Sequence, residues 1–288
     1  MTNYSNVIAG CMRWGIWGEN LDTHQMVNLI EACVQNEVTT FDHADIYGDY
    51  TTESSFGKAL ESSSIKRENI QLISKCGIQH TGNTRTNRIK HYDYSKKYII
   101  WSVEQSLQNL KTEYLDLLLL HRPSPLMHPD EIAAAIETLI SQGKIKDFGL
   151  SNFTPLQTQL IASKTTVSVN QIEASLSHYT PLLNGDLNYM QLHHIQPMAW
   201  SPLGTYFTED STKNLQIKEE MLRLTQKYNA TETQVLLAWL YQHPSQIIPV
   251  IGTTKKERII EAVAAQKIIL ETEDWFALLE ASQGHKVP

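Results

Sequence analysis

Short apolar runs that do not alternate with polar residues restrict the fold of this chain more than any other feature. In "LDLLLLH", at 115–121, the apolar side chains occupy consecutive positions. A strand with one wet face alternates apolar and polar residues. A strand buried on both faces need not, and that situation belongs to parallel sheets covered by helices. By this reading strands are predicted at 7–10, 39–42, 71–75, 116–121, 147–150, 167–171, 196–200 and 247–252.

Helical patterns fill the gaps between these runs. "THQMVNLIEACVQN" has apolar residues at helical spacing, with Thr23 as its expected cap. "SKKYIIWSVEQSLQNLK" opens on Ser95 as an N-cap, and "TPLQTQLIAS" opens on Thr154 followed by Pro155, a favourable cap and first-turn pair. "HPDEIAAAIETLISQGK" has acidic residues in its first turn and Gly143 at its end, as the helix dipole and C-cap geometry favour. Strands alternating with helices in this number predict an α/β fold, a single (β/α)8 TIM barrel spanning 1–288. Extra helices are expected near the C-terminus, at about 217–228 and 272–282. An open doubly wound sheet is the other arrangement considered, but no G-x-G-x-x-G follows the first strand.

Composition narrows the class. Of 288 residues, 41% are hydrophobic and 19% charged, as in ordinary globular proteins. No apolar stretch is long enough for a membrane helix, and no secretory signal pattern opens the chain. The net charge of −7 argues against nucleic acid as the main partner. The three scattered cysteines, Cys11, Cys33 and Cys76, fit reduced thiols in the cytoplasm better than a disulfide framework. No metal site is expected, since His43, His193 and His194 lack ligand spacing.

Active sites of such barrels form where the strands end, so the last residue of each strand is informative. The second strand ends in Asp42, with Tyr47 five residues on, the third in Lys75 and the fourth in His121. A phenol with a pKa of about 10 is a poor proton donor or acceptor at neutral pH. A neighbouring ammonium stabilises the phenolate and lowers that pKa, and a paired carboxylate holds the ammonium in place. A histidine beside the phenol orients a carbonyl oxygen or relays a proton. Such a set suits protonation of an oxygen that becomes negative as it reacts. Structural pairing of the same groups is the competing explanation; a strand-end lysine is the hardest of them to explain that way. Cys76, next to Lys75, is expected to face away from the mouth as an apolar filler.

At this point the residues resemble the aldo/keto reductases, and the resemblance spans nearly the whole chain. "FDHADIYGDYTTESSFGKAL", "LISKCG", "LDLLLLHRP" and "GKIKDFGLSNF" are similar to that family's catalytic and fifth-strand motifs. The resemblance implies Tyr47 as general acid, Lys75 and Asp42 as the groups that tune it, and His121 as the residue that orients the carbonyl. It implies NADPH as cofactor and a small-molecule carbonyl compound as substrate. Ser151, Asn152 and Gln171 would hold the nicotinamide carboxamide, and Trp200 would stack on its ring. Ser201, Leu203 and Gly204 begin the loop along the pyrophosphate. In "GTTKKER", Gly252 leads to the adenosine end, where Thr253, Lys255 and Arg258 would meet a 2′-phosphate near a helix start. Ala262 stands where many relatives place an asparagine against the adenine, and the loop after Trp200 has one glycine where close relatives have several. A monomer is the family default.

Around the mouth, Trp14 is expected to wall the substrate pocket, as the aromatic nearer the first strand, with Trp17 as the alternative. The loop "IQHTGNTRTNRIKHYDYS" reads as a solvated flap that could steer an anionic substrate. Two other functions are compatible with the same residues: a Lys75 Schiff-base aldolase, and an NADPH-binding barrel that senses redox state with little turnover.

Overall fold

Eight parallel strands close into a barrel in the computed structural model, which describes residues 4–288. In chain order the strands are β1 (Ile8–Gly10), β2 (Thr40–Asp42), β3 (Gln71–Cys76), β4 (Ile78–Gln79), β5 (His91–Tyr92), β6 (Leu117–Leu120), β7 (Phe148–Ser151), β8 (Val169–Glu173), β9 (Gln196–Trp200) and β10 (Ile248–Ile251). Neighbours around the barrel run β1, β2, β3, β6, β7, β8, β9, β10 and back to β1. All eight expected strands are present. β4 and β5 are additional: they form an antiparallel ribbon within the segment read as a flap, pairing Ile78 with Tyr92 and Gln79 with His91.

The non-alternating runs have a direct structural cause. Leu117 and Leu119 face the barrel interior, where they meet Ile8, Ile73, Val169, Met198 and Val250. Leu118 and Leu120, on the opposite face, join the larger core between barrel and helices. Both faces of the strand are dry, so both sets of side chains are apolar. Tyr4 and Ile248 pack against the inner cluster. The lower half of the barrel is therefore filled with hydrocarbon, and polar groups gather at the upper end.

Local sequence signals set the helices. Ser95 and Thr154 cap their helices as expected, accepting from the backbone N–H of Tyr98 and Gln157. Thr23 is not a cap; the preceding Asp22 accepts from Gln25 N–H at 2.8 Å, and the Gln25 side chain accepts from Asp22 N–H, closing a capping box. The extra helices are Thr212–Tyr228 and Thr272–Gln283. They are pinned together by Asp274, whose carboxylate accepts from Arg223 at 2.6 Å, Lys227 at 2.7 Å and Tyr228 at 2.5 Å. Burial alone would raise the pKa of Asp274, but these donors hold it at about 2. No helix among the described residues is long and apolar enough to cross a membrane.

Candidate active site

β2, β3 and β6 are adjacent, so the residues that end them meet at one corner of the mouth. Lys75, 1% exposed, donates to Asp42 Oδ2 at 2.7 Å, to the His43 carbonyl at 2.8 Å and to the Tyr47 hydroxyl at 3.1 Å. The second Asp42 oxygen accepts from Gln171 Nε2 at 2.9 Å. Every ammonium proton has an acceptor, which is what lets a charged lysine sit in a dry site. The Tyr47 ring lies edge-on to His121 at 5.9 Å.

The turn that carries Tyr47 is unusual. Gly48, Asp49 and Tyr50 are all left-handed, with φ of 60°, 53° and 68°. Asp49 is held there by its own carboxylate, which accepts from the backbone N–H of Asn83 at 2.8 Å and Thr84 at 3.1 Å. The β4–β5 segment thus grips the segment that presents the phenol. It is gripped in turn by Arg85, whose guanidinium lies 3.6 Å from the Tyr50 ring centre and 4.9 Å from that of Trp101, and donates to the Tyr98 hydroxyl at 2.9 Å. The segment is largely solvent-exposed, as expected of a flap, but it is also anchored through its ribbon and Arg85. Gly77 makes the anchorage possible: at φ +109° a Cβ would lie 1.9 Å from the Tyr94 ring.

The electrostatics differ in one respect from the sequence-based expectation. Burial pushes the Tyr47 phenol above its usual pKa, and the Lys75 ammonium offsets this only in part. The phenol of the free protein is thus fully protonated near neutrality, and the ammonium serves to limit a rise, not to produce a net fall. For Lys75, burial pulls the pKa down, but Asp42 and Tyr47 outweigh it and hold the group above the ordinary lysine value. Burial, then the charges of Lys75, Arg122 and Lys90, push His121 well below the usual histidine range, so its imidazole is neutral. His43 is also neutral, at about 3, through burial and Lys75, and lies 4.3 Å from Phe56.

Above this corner is a cavity of about 410 Å³, lined on one side by Met12, Trp17, Tyr47, Lys90, His121 and Arg122. Trp17, 38% exposed, forms its apolar wall. The expectation for Trp14 is corrected: it is 1% exposed and packs on Phe41 and Phe56, with ring centres 6.1 and 5.9 Å apart, in the core between barrel and helices. The cause is a turn after β1, closed by Trp14 N–H to Cys11 O at 3.0 Å, which folds the nearer tryptophan inward. Cys76, 1% exposed, sits in the same outer core with its pKa raised by burial. Among the described residues no cluster of His, Cys, Asp and Glu could hold a metal ion.

On the other side of the mouth, the Trp200 indole N–H donates to Asn152 Oδ1 at 2.9 Å, and Asn152 Nδ2 donates to Ser151 Oγ at 2.8 Å. Gln171 stands beside them but turns its amide N–H to Asp42. Arg122, which follows His121, places its guanidinium 5.4 Å from the Trp200 ring centre. Ser201, Pro202 and Gly252 line the mouth and also a second cavity of about 520 Å³, so the two are continuous. The second is lined further by Leu203, Gly204, Phe207, Thr253, Arg258 and the buried Ala262. Gly204 has φ +54°, and a Cβ there would lie 1.9 Å from Ser177 Oγ, so the loop backbone packs directly against the segment of Ser175 and Ser177. Arg258 belongs to the helix Lys256–Ala264 and is exposed at its start. Lys255 precedes that helix, its N–H donating to Thr253 Oγ1 at 3.1 Å, but it does not line the cavity. Phe207 and Glu261 do line it and carried no sequence motif.

The mouth of this parallel eight-stranded barrel thus carries a phenol–ammonium–carboxylate corner and a long groove beside an indole. The chain belongs to the aldo/keto reductase family, whose model matches residues 6–283. It is 43% identical to the uncharacterized oxidoreductase YcsN of Bacillus subtilis, over 99% of this chain and 96% of that one. It is 38% identical to a 6-dehydroglucose reductase of Agrobacterium fabrum, over 98% and 96%. Among solved structures, a thermostable aldo-keto reductase crystallised with the inhibitor epalrestat superimposes with a TM-score of 0.82 at 25% identity, covering 96% of this chain and 94% of that one. The glycerol dehydrogenase of Gluconobacter oxydans shares the fold with a TM-score of 0.85 at 22% identity, over 99% and 93%.

Proposed function

We propose that the protein reduces small aldehydes or ketones to alcohols with NADPH, and that Tyr47 delivers the proton. The observation that carries this reading is the contact of Tyr47 OH with Lys75 Nζ at 3.1 Å, on the floor of a cavity continuous with the groove of Trp200 and Arg258. The residues present fit a dinucleotide. Trp200 offers a flat face held by Asn152, Ser201, Leu203 and Gly204 line the groove where a pyrophosphate would lie, and Thr253 and Arg258 would meet a 2′-phosphate. NADPH bound there supplies the hydride for the carbonyl carbon.

The chain's own groups do the rest. The neutral His121 donates an N–H that orients the carbonyl oxygen toward Tyr47. As negative charge gathers on that oxygen, Tyr47 passes it a proton, and the phenolate left behind is stabilised by the ammonium already in contact. Asp42, fixed by Lys75 and Gln171, keeps that ammonium from following the proton out. The aldolase reading requires a neutral Lys75 amine; the raised pKa and three acceptors of Lys75 work against it. The test is NADPH consumption, followed by absorbance, across a panel of aldehydes and ketones. Sustained turnover on at least some of them is expected. Binding of NADPH with no turnover on any carbonyl would contradict the proposal.

A further inference from the structure

The charge of the mouth cavity is one-sided. Its only acidic lining residue, Asp42, is paired with Lys75, whereas Lys90, Arg122 and Arg13 are cationic. Arg13 is paired with Glu19 at 3.5 Å, which leaves two cations without an ion pair among the described residues. Glu173 and Asp186 line an adjoining cavity on the far side of Arg122, and neither is within ion-pair distance of it. Both free cations act electrostatically on His121 and so stand close to the point of reaction.

Arg122 is also held in place, whereas the Lys90 side chain is exposed at the rim. The Arg122 backbone is locked by the Tyr94 hydroxyl, which donates to Arg122 O at 2.5 Å and accepts from Arg122 N–H at 3.1 Å. Its guanidinium rests against the Trp200 face. Lys90 immediately precedes β5, in the ribbon gripped by Asp49 and Arg85. A fixed Arg122 without a carboxylate partner, with the exposed Lys90 on the same cavity and an apolar Trp17 wall, forms an anion subsite next to the hydride acceptor position.

Building on the reductase reading above, we propose that Arg122 and Lys90 make this pocket selective for carbonyl substrates that bear a carboxylate. The guanidinium fork suits the planar two-oxygen group, and the exposed Lys90 adds a second charge at the rim of the same cavity. The discriminating experiment compares kcat/KM for matched pairs: 4-carboxybenzaldehyde against its methyl ester, and succinic semialdehyde against butyraldehyde. A preference of about tenfold or more for the anion is expected, the size that one half-buried and one exposed cation supply, and it should shrink as salt is added. Arg122→Gln and Lys90→Met should each lower this ratio, the double variant bringing it near one, with NADPH affinity measured as a control. Equal losses on charged and neutral partners, a ratio near one in the wild type, or a stronger preference for a neutral polyhydroxy aldehyde such as glyceraldehyde would overturn the inference while leaving the reductase reading intact. If no carbonyl is turned over, the reductase reading fails. Binding of benzoate against benzamide to the NADP⁺-containing protein still tests the subsite, with an Arg122- and Lys90-dependent preference for benzoate expected and none contradicting it.

Discussion

The two sides of the barrel mouth handle charge in opposite ways. At the corner of β2, β3 and β6, Lys75 is enclosed and satisfied by the protein itself, with three acceptors in contact. Along the groove from β9 to the helix Lys256–Ala264, Arg258 is solvated at the surface. Internal pairing fixes the phenol in position; external exposure leaves a charge available to a ligand. Substitutions in the enclosed corner should therefore damage both stability and chemistry. Those in the groove should alter binding and leave the fold intact.

Lys75→Met tests the enclosed side most severely. It leaves the Asp42 carboxylate buried with only Gln171, so denaturant unfolding should show a loss of about 3–5 kcal/mol. The turnover number should fall by about 10²–10⁴, as for loss of a general-acid assembly. An active, fully stable variant would dissolve the contrast.

Asp45, behind the same corner, offers a pH-dependent test. It is buried against Glu53 and held by Ser102, Tyr98 and the charge of Arg85. Burial, then the Glu53 carboxyl, raise its pKa from 3.8 to about 7. Below 3.8 the carboxyl is protonated in both states. As pH rises from there, the unfolded chain ionises first, so this group's contribution to stability falls until the folded pKa is passed. The loss amounts to roughly 4 kcal/mol. Asp45→Asn should flatten stability between about pH 4 and 7; an unchanged slope would mean that Asp45 is ionised in the folded protein.

In the groove the effects should be smaller and confined to binding. Arg258→Ala should raise the dissociation constant for NADPH by roughly 10- to 100-fold, leave NADH little changed and not move the melting temperature. Equal losses for both cofactors would remove the 2′-phosphate contact. Trp17→Ala, at the open rim, should raise KM a few-fold for bulky aldehydes with kcat nearly constant.

The same contrast explains what could be read from the sequence. The barrel was legible because burial on both faces leaves consecutive apolar residues, as at Leu117–Leu120. The four corner residues were legible because each ends or closely follows a strand of that barrel. The β4–β5 ribbon was not, since its anchors, Tyr50, Tyr98 and Trp101, come from distant segments. Trp14 and Trp17 were exchanged because one tight turn decides which ring faces inward. The direction of the Tyr47 shift was misjudged because a sequence shows the neighbouring charge but not the depth of burial that outweighs it. Arg122 was hidden within a turn-like "HRP", and its role depends on Tyr94 and Trp200 arriving from elsewhere.

The most direct measurement is turnover by Tyr47→Phe at saturating NADPH, alongside NADPH affinity by fluorescence titration. Loss of nearly all carbonyl reduction with cofactor affinity unchanged is the predicted result. Reduction at the wild-type rate would show that the proton comes from another group.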